Sequence, residues 1–111
     1  MNIREELEKF EQAITAEKWA VVEYTKAKYK YDVKVANLVA TAYADGRITG
    51  KNADERKRNE TILVDNELGK ERDALQKKYE SQLSAKYTRE AAEQRLKTLR
   101  AYLYSMSGRG E

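Results

Sequence analysis

The sequence predicts an all-α protein: a long antiparallel, coiled-coil-like helical hairpin, with a third C-terminal helix as an open alternative, assembling into a helical bundle. Three observations carry this. The 111 residues include no proline, where average usage would place about five or six, so every backbone N–H is available and very long helices are permitted. The chain is rich in Ala, Glu, Lys, Arg and Leu, the strong helix formers. Its apolar residues recur at alternating steps of four and three, which separates it from a disordered chain of equally high charge.

The first element spans about residues 2–44, close to 65 Å at ~1.5 Å per residue. Its seam reads Ile3, Leu7, Phe10, Ile14, Glu17, Val21, Tyr24, Lys28, Tyr31, Val35, Leu38 and Ala42, interrupted only at Glu17 and Lys28. A second stripe, Trp19, Val22, Lys26, Tyr29, Val33, Ala36, Ala40 and Tyr43, lies roughly opposite. One partner helix cannot cover both sides. The expectation is therefore a homo-oligomer, most simply a dimer, whose interface includes Trp19, Val22, Tyr29, Val33, Ala36 and Tyr43. A fold-back of residues 88–106 would cover the stripe instead.

The turn falls at residues 45–52. Gly46 suits a left-handed helix stop, and Asn52 with Glu55 three residues on has the layout of a capping box, with Thr49 as a competing start. The second element spans about 53–106 and carries Ile62, Val64, Leu68, Leu75, Tyr79, Leu83 and Tyr87. Its last apolar steps are four, four and four, a drift from the heptad. A break near 84–88 would let Thr88 cap a third helix with Ala92, Leu96, Leu99, Leu103 and Met106 as its apolar edge; a continuous helix would overshoot the first. Residues 107–111 read as a flexible tail. The whole chain reads as one helical domain.

Composition narrows the chemistry. Cys and His are both absent, which removes the usual zinc, haem and iron–sulfur ligand sets and the Ser-His and Cys-His catalytic pairs. No catalytic constellation emerges: the carboxylate pairs Glu5-Glu6 and Asp54-Glu55 sit on polar faces, and no base stands ready to activate a hydroxyl. The chain reads as non-enzymatic, without cofactor or metal. Apolar runs are too short for a membrane span, and the N-terminal residues do not have the pattern of a signal peptide, so a cytoplasmic protein is expected. The net charge of +3 is concentrated at the C-terminal end, where residues 85–111 hold six bases and three acids.

Four features could bind a partner. At the turn, Arg47, Lys51 and Arg56 lie near the start of the second helix, where free N–H groups and the helix dipole favour an anion. In that reading Gly46 and Gly50 hold the backbone geometry and Asn52 caps. The loop departs from a nucleotide-triphosphate loop, having Asp45, Asn52 and a preceding helix in place of Gly, Ser/Thr and a strand. The plain alternative is a capped, solvated turn. The second feature is Lys26, Lys30 and Lys34 on one helix face beside Tyr29, which could follow single-stranded nucleic acid or simply line the bundle with lysine stems. The third is the set Lys86, Arg89, Arg95, Lys97 and Arg100, much of it within reach of Glu90 and Glu93; Arg95 lacks a partner four residues on. The fourth is tyrosine itself, eight against one Phe, a bias that suits interfaces, with Tyr102 and Tyr104 hard to bury in a two-helix pair.

The stretch Tyr43-Ala44-Asp45-Gly46-Arg47-Ile48-Thr49-Gly50-Lys51-Asn52-Ala53, followed by Glu55-Arg56-Lys57, resembles the turn of small helical accessory proteins of tailed phages and prophages. There the pattern runs approximately G-x-I-x-G-K-N-A-x-x-R between two long charged helices. The likeness covers the layout of nearly the whole chain and about a dozen residues of motif. It implies a phage-encoded accessory protein in the host bacterial cytoplasm, acting by binding, with Gly46, Ile48, Gly50, Lys51, Asn52 and Arg56 as the residues carried over.

Three functions remain open. The leading one is an oligomeric protein-interaction module that modulates or inhibits a host or phage protein. The others are an accessory binder of single-stranded nucleic acid and a binder of a phosphorylated small ligand such as a signalling nucleotide.

Overall fold

The computed structural model describes residues 2–109, with side chains through residue 107. It is 92% helical, with α1 at Ile3–Ala44 and α2 at Ala53–Arg109 joined by the turn. The hairpin and its boundaries thus agree with the periodicity. Among the described residues no helix is long and apolar enough to cross a membrane.

The chain divides into two compact units. Unit 1 comprises Met1–Val22 with Glu80–Glu111, and unit 2 comprises Glu23–Tyr79. In unit 1 the helices run antiparallel, since Glu6 meets Arg95 and Glu17 meets Arg89. In unit 2 Glu23 meets Lys78 and, further along α1, Tyr43 faces Glu60, so the helices run antiparallel there too.

α2 does not break near 84–88, and residues 88–106 form no separate helix folding back on α1. The reason lies in its spacing. Val64, Leu68, Glu71, Leu75, Lys78, Gln82, Ala85, Arg89, Ala92, Leu96, Leu99 and Leu103 follow steps of four and three without a slip. The apparent drift came from counting Tyr79 and Tyr87, which stand at the edge, 39% and 61% exposed. The one interruption is at Leu68 (φ −119°, ψ 20°), immediately before Gly69, a residue that weakens a helix interior. Helix continues through Arg109, so residues 107–109 are not a tail; residues 110–111 lie outside the described residues.

The α1 seam also differs from the expected one in unit 1. Phe10 and Glu17 point inward as expected, but their inward companions are Glu6, Ala13 and Ala20, each one residue before Leu7, Ile14 and Val21. Ile3, Leu7, Ile14 and Val21 are left 38–44% exposed. In unit 2 the expected seam holds at Tyr24, Tyr31, Val35, Leu38 and Ala42, while Lys28 is exposed. The buried apolar residues of unit 1 are Ala13, Ala92, Leu96 and Leu99; in unit 2 they are Ala42 and Ile48.

Candidate functional site

The turn is built from local chemistry. Gly46 adopts φ +84°, the left-handed conformation a side chain resists. Its N–H donates to the Tyr43 carbonyl at 3.4 Å, and the Ile48 N–H donates to the Ala42 carbonyl at 3.2 Å, so the last carbonyls of α1 are satisfied. Ile48 then drops into the tip at 4% exposure, against the fully buried Ala42. At the start of α2 the Asn52 carboxamide oxygen accepts from the Glu55 N–H at 2.9 Å, and the Glu55 carboxylate reaches back to the Lys51 N–H at 3.2 Å. This is a capping box with its return bond displaced by one residue.

Two of the three cations of the turn are engaged in holding it. Arg47 Nε lies 2.8 Å from the Asp45 carboxylate, with Glu67 at 4.0 Å. Arg56 donates to the Gly50 carbonyl at 3.4 Å, and the Asn59 carboxamide donates to the Thr49 carbonyl at 2.6 Å. Lys51 is exposed. The structure therefore places Arg47, Lys51, Asn52 and Arg56 at one end of unit 2, yet gives two of the three cations an intramolecular partner. Gly50 is required by proximity: a Cβ there would sit 2.9 Å from the Arg56 backbone nitrogen. Asn59 and Glu60 were not singled out from sequence, because their partners lie ten or more residues away. Glu60 faces Tyr43, whose phenol is pushed above its usual pKa by desolvation first and by the Glu60 carboxylate second.

The α1 stripe behaves differently from the turn. Trp19 is 60% exposed in unit 1; Tyr29, Val33 and Tyr43 are 72%, 40% and 42% exposed in unit 2. Ala36 is exposed as well, and only Val22 is half-buried. Apart from Val22, and Tyr43 beside Glu60, these residues stand free of the chain's own packing.

The C-terminal bases are mostly paired. Arg89 bridges Glu17 at 3.0 Å and Glu93 at 3.2 Å, and the Glu17 hydrogen bond raises its pKa further. Lys86 lies 4.0 Å from Glu90 and Lys97 lies 3.5 Å from Glu93. Arg95, unpartnered within its own helix, finds Glu6 across the hairpin at 3.6 Å. Glu6 is 95% shielded, a consequence of the shifted seam that the charge pattern alone conceals. On α2 an open groove of about 650 Å³ runs along Ala91, Leu99, Tyr102 and Leu103.

Comparison with protein-family models, with curated proteins and with solved structures finds no match for this chain.

Proposed function

We propose that this chain is a non-enzymatic binding module that works as a homo-oligomer, most simply a dimer, and engages a host or phage protein through surface the assembly leaves free. The observation that carries the first part is the thinness of the core: among the described residues no large side chain is fully buried. Unit 1 closes over alanines and two leucines while Leu7, Ile14 and Trp19 face outward, as do Tyr102, Leu103 and Met106 at the end of α2. Glu6 already meets Arg95 and α1 starts three residues earlier at Ile3, so among the described residues α2 beyond about residue 98 has no α1 opposite it. Ile3, Leu7, Ile14 and Val21 of unit 1 recur along one face of α1 and are 38–44% exposed, and a contiguous exposed apolar surface marks an interaction site.

A second copy is the occupant that best answers this shortage. Two helices alone bury too little to offset the entropy of ordering them, and a folding deficit needs a neighbour that is always present. The accessory role toward a host or phage protein is supported by the turn's resemblance to phage proteins and by the tyrosine bias.

Sedimentation equilibrium tests the assembly. A dimer at micromolar concentration is expected, and a fully helical monomer under those conditions refutes it. Ile14→Glu in unit 1 and Val33→Glu in unit 2 each place a charge on an exposed apolar position. The variant that dissociates the dimer identifies the covered face, because a desolvated unpaired charge is costly. Capture of the partner from a bacterial lysate by the intact protein, with loss on Lys51→Ala plus Arg56→Ala at unchanged helicity, would assign the turn to that contact.

A further inference from the structure

One face of unit 2 gathers lysines from both helices around a shallow groove. Ala27 and Tyr31 of α1 and Ala74 and Leu75 of α2 form its floor, and Lys30, Lys34 and Lys78 rise along its rim. Lys26 continues the row of Lys30 and Lys34 one turn earlier, toward the outer side of α1 where Tyr29 stands, and Lys70 and Lys77 lie one turn on either side of Ala74, so three further lysines flank the groove. Their balancing acids are few. Lys78 is held by Glu23 at 3.0 Å, Glu71 lines the groove, Glu67 is turned toward Arg47, and Asp73, one turn from both Lys70 and Lys77, lies 3.7 Å from Arg72. Among the described residues Lys26, Lys30, Lys34, Lys70 and Lys77 enter no ion pair, whereas Lys28, elsewhere on α1, is paired with Asp32 at 3.2 Å. Five ammonium groups without an ion-pair partner, two lining the groove and three flanking it, repel one another, and a polyanion removes that repulsion.

We propose that this face binds single-stranded nucleic acid, with phosphates on the lysines and a base stacked on Tyr29. Two observations select this occupant. Lys26, Lys30 and Lys34 repeat every four residues, about 6 Å along the axis at ~1.5 Å per residue, close to the separation of successive phosphates in an extended strand. Tyr29, one turn after Lys26 on the outer side of α1, is the second most exposed large hydrophobic among the described residues at 72%, and an aromatic ring beside a lysine track is the stacking platform of single-strand binders. An acidic protein segment would use the lysines and have no need of the ring. The surface is distinct from the apolar residues of unit 1, so a dimer that Ile14→Glu dissociates leaves Tyr29 free, whereas one that Val33→Glu dissociates covers it.

The test is fluorescence anisotropy of a labelled oligothymidylate with the intact protein at several salt concentrations. Five lysines on phosphates predict a slope of log affinity on log salt of about −3.5 for a single strand, about a hundredfold weakening between roughly 50 and 200 mM salt. Replacing Lys30, Lys34 and Lys77 together by Gln should reduce the slope to about −1.4, and Arg at the same positions should restore binding. Tyr29→Ala should weaken binding about tenfold without changing the slope, and Lys28→Gln should leave both unchanged. No binding at low salt, or a triple variant equal to the parent at unchanged helicity, overturns the proposal. Competition by polyglutamate as effective as by oligothymidylate overturns it in favour of an acidic protein. Equal affinity for duplex DNA, together with indifference to Tyr29→Ala, overturns the single-strand assignment.

Discussion

Gly46 and Gly50 occupy one turn but are required for opposite reasons, and substitutions can separate the two. At Gly46 a Cβ would meet nothing within 4 Å, but φ is +84°, so Gly46→Ala should cost only the left-handed backbone penalty, about 1–2 kcal/mol. At Gly50 a Cβ would lie 2.9 Å from the Arg56 nitrogen, 3.0 Å from its Cγ and 3.2 Å from the Glu55 carbonyl carbon. The Arg56 Cγ can move, whereas the other two atoms belong to the first turn of a capped helix. Relief must therefore come from the turn, at the expense of the Arg56–Gly50 and Asn59–Thr49 hydrogen bonds. Overpacking of about 1–3 kcal/mol, plus about 1 kcal/mol for each of the two weakened bonds, puts Gly50→Ala at about 3–5 kcal/mol. Urea unfolding followed by circular dichroism at one fixed protein concentration measures both, since association would otherwise shift the midpoint. Asn at position 46 should recover most of the loss, because Asn tolerates the left-handed region; Asn at position 50 should recover none. A neutral Gly50→Ala, or equal rescue by Asn at both positions, refutes the reasoning.

Three further outcomes are expected. Glu6→Leu should stabilise the protein by about 1 kcal/mol, because an apolar side chain replaces a carboxylate whose Oε2 has no hydrogen bond and exposed Arg95 can return to water; a lower melting temperature would contradict this. Glu17→Arg and Arg89→Glu should each destabilise unit 1, and the double exchange should recover part of the loss, read from a double-mutant cycle; additive effects would show the 3.0 Å pair to be energetically idle. The Tyr43 phenol is raised in the folded state, so the folded chain keeps a proton that the unfolded chain releases near pH 10. Stability from this group is complete below about pH 10 and is lost as pH rises through the folded pKa. Tyr43→Phe should flatten that alkaline decline, and an unchanged profile would remove the Glu60 contact from the account.

The candidate sites were unevenly legible. The turn could be read almost atom by atom, because Gly46, Asn52 and Glu55 act on backbone within four residues of themselves. That Arg47 and Arg56 hold the turn was hidden, since the same cations that hold carbonyls and carboxylates in a closed turn could hold a ligand. Lys26, Lys30 and Lys34 were visible as a face, while Lys70 and Lys77 joined them only once α2 was laid alongside.

Sequence by itself determined the helices, their ends at Ala44 and Ala53, and the heptad period, because propensity, capping and the absence of proline act within a few residues. It could not choose which stripe turns inward. Glu6, Ala13 and Ala20 lie next to Leu7, Ile14 and Val21 on the same helix, about 100° apart around the axis, and both sets keep the same period. Only packing against α2 decides between them. There the small and charged residues were taken inside, where Glu6 meets Arg95 and Glu17 meets Arg89, and the larger apolar side chains were left outside. Continuity of α2 through 84–88 was decided in the same way: Gln82, Ala85 and Arg89 look unremarkable in order, and become a seam only when a second helix lies against them.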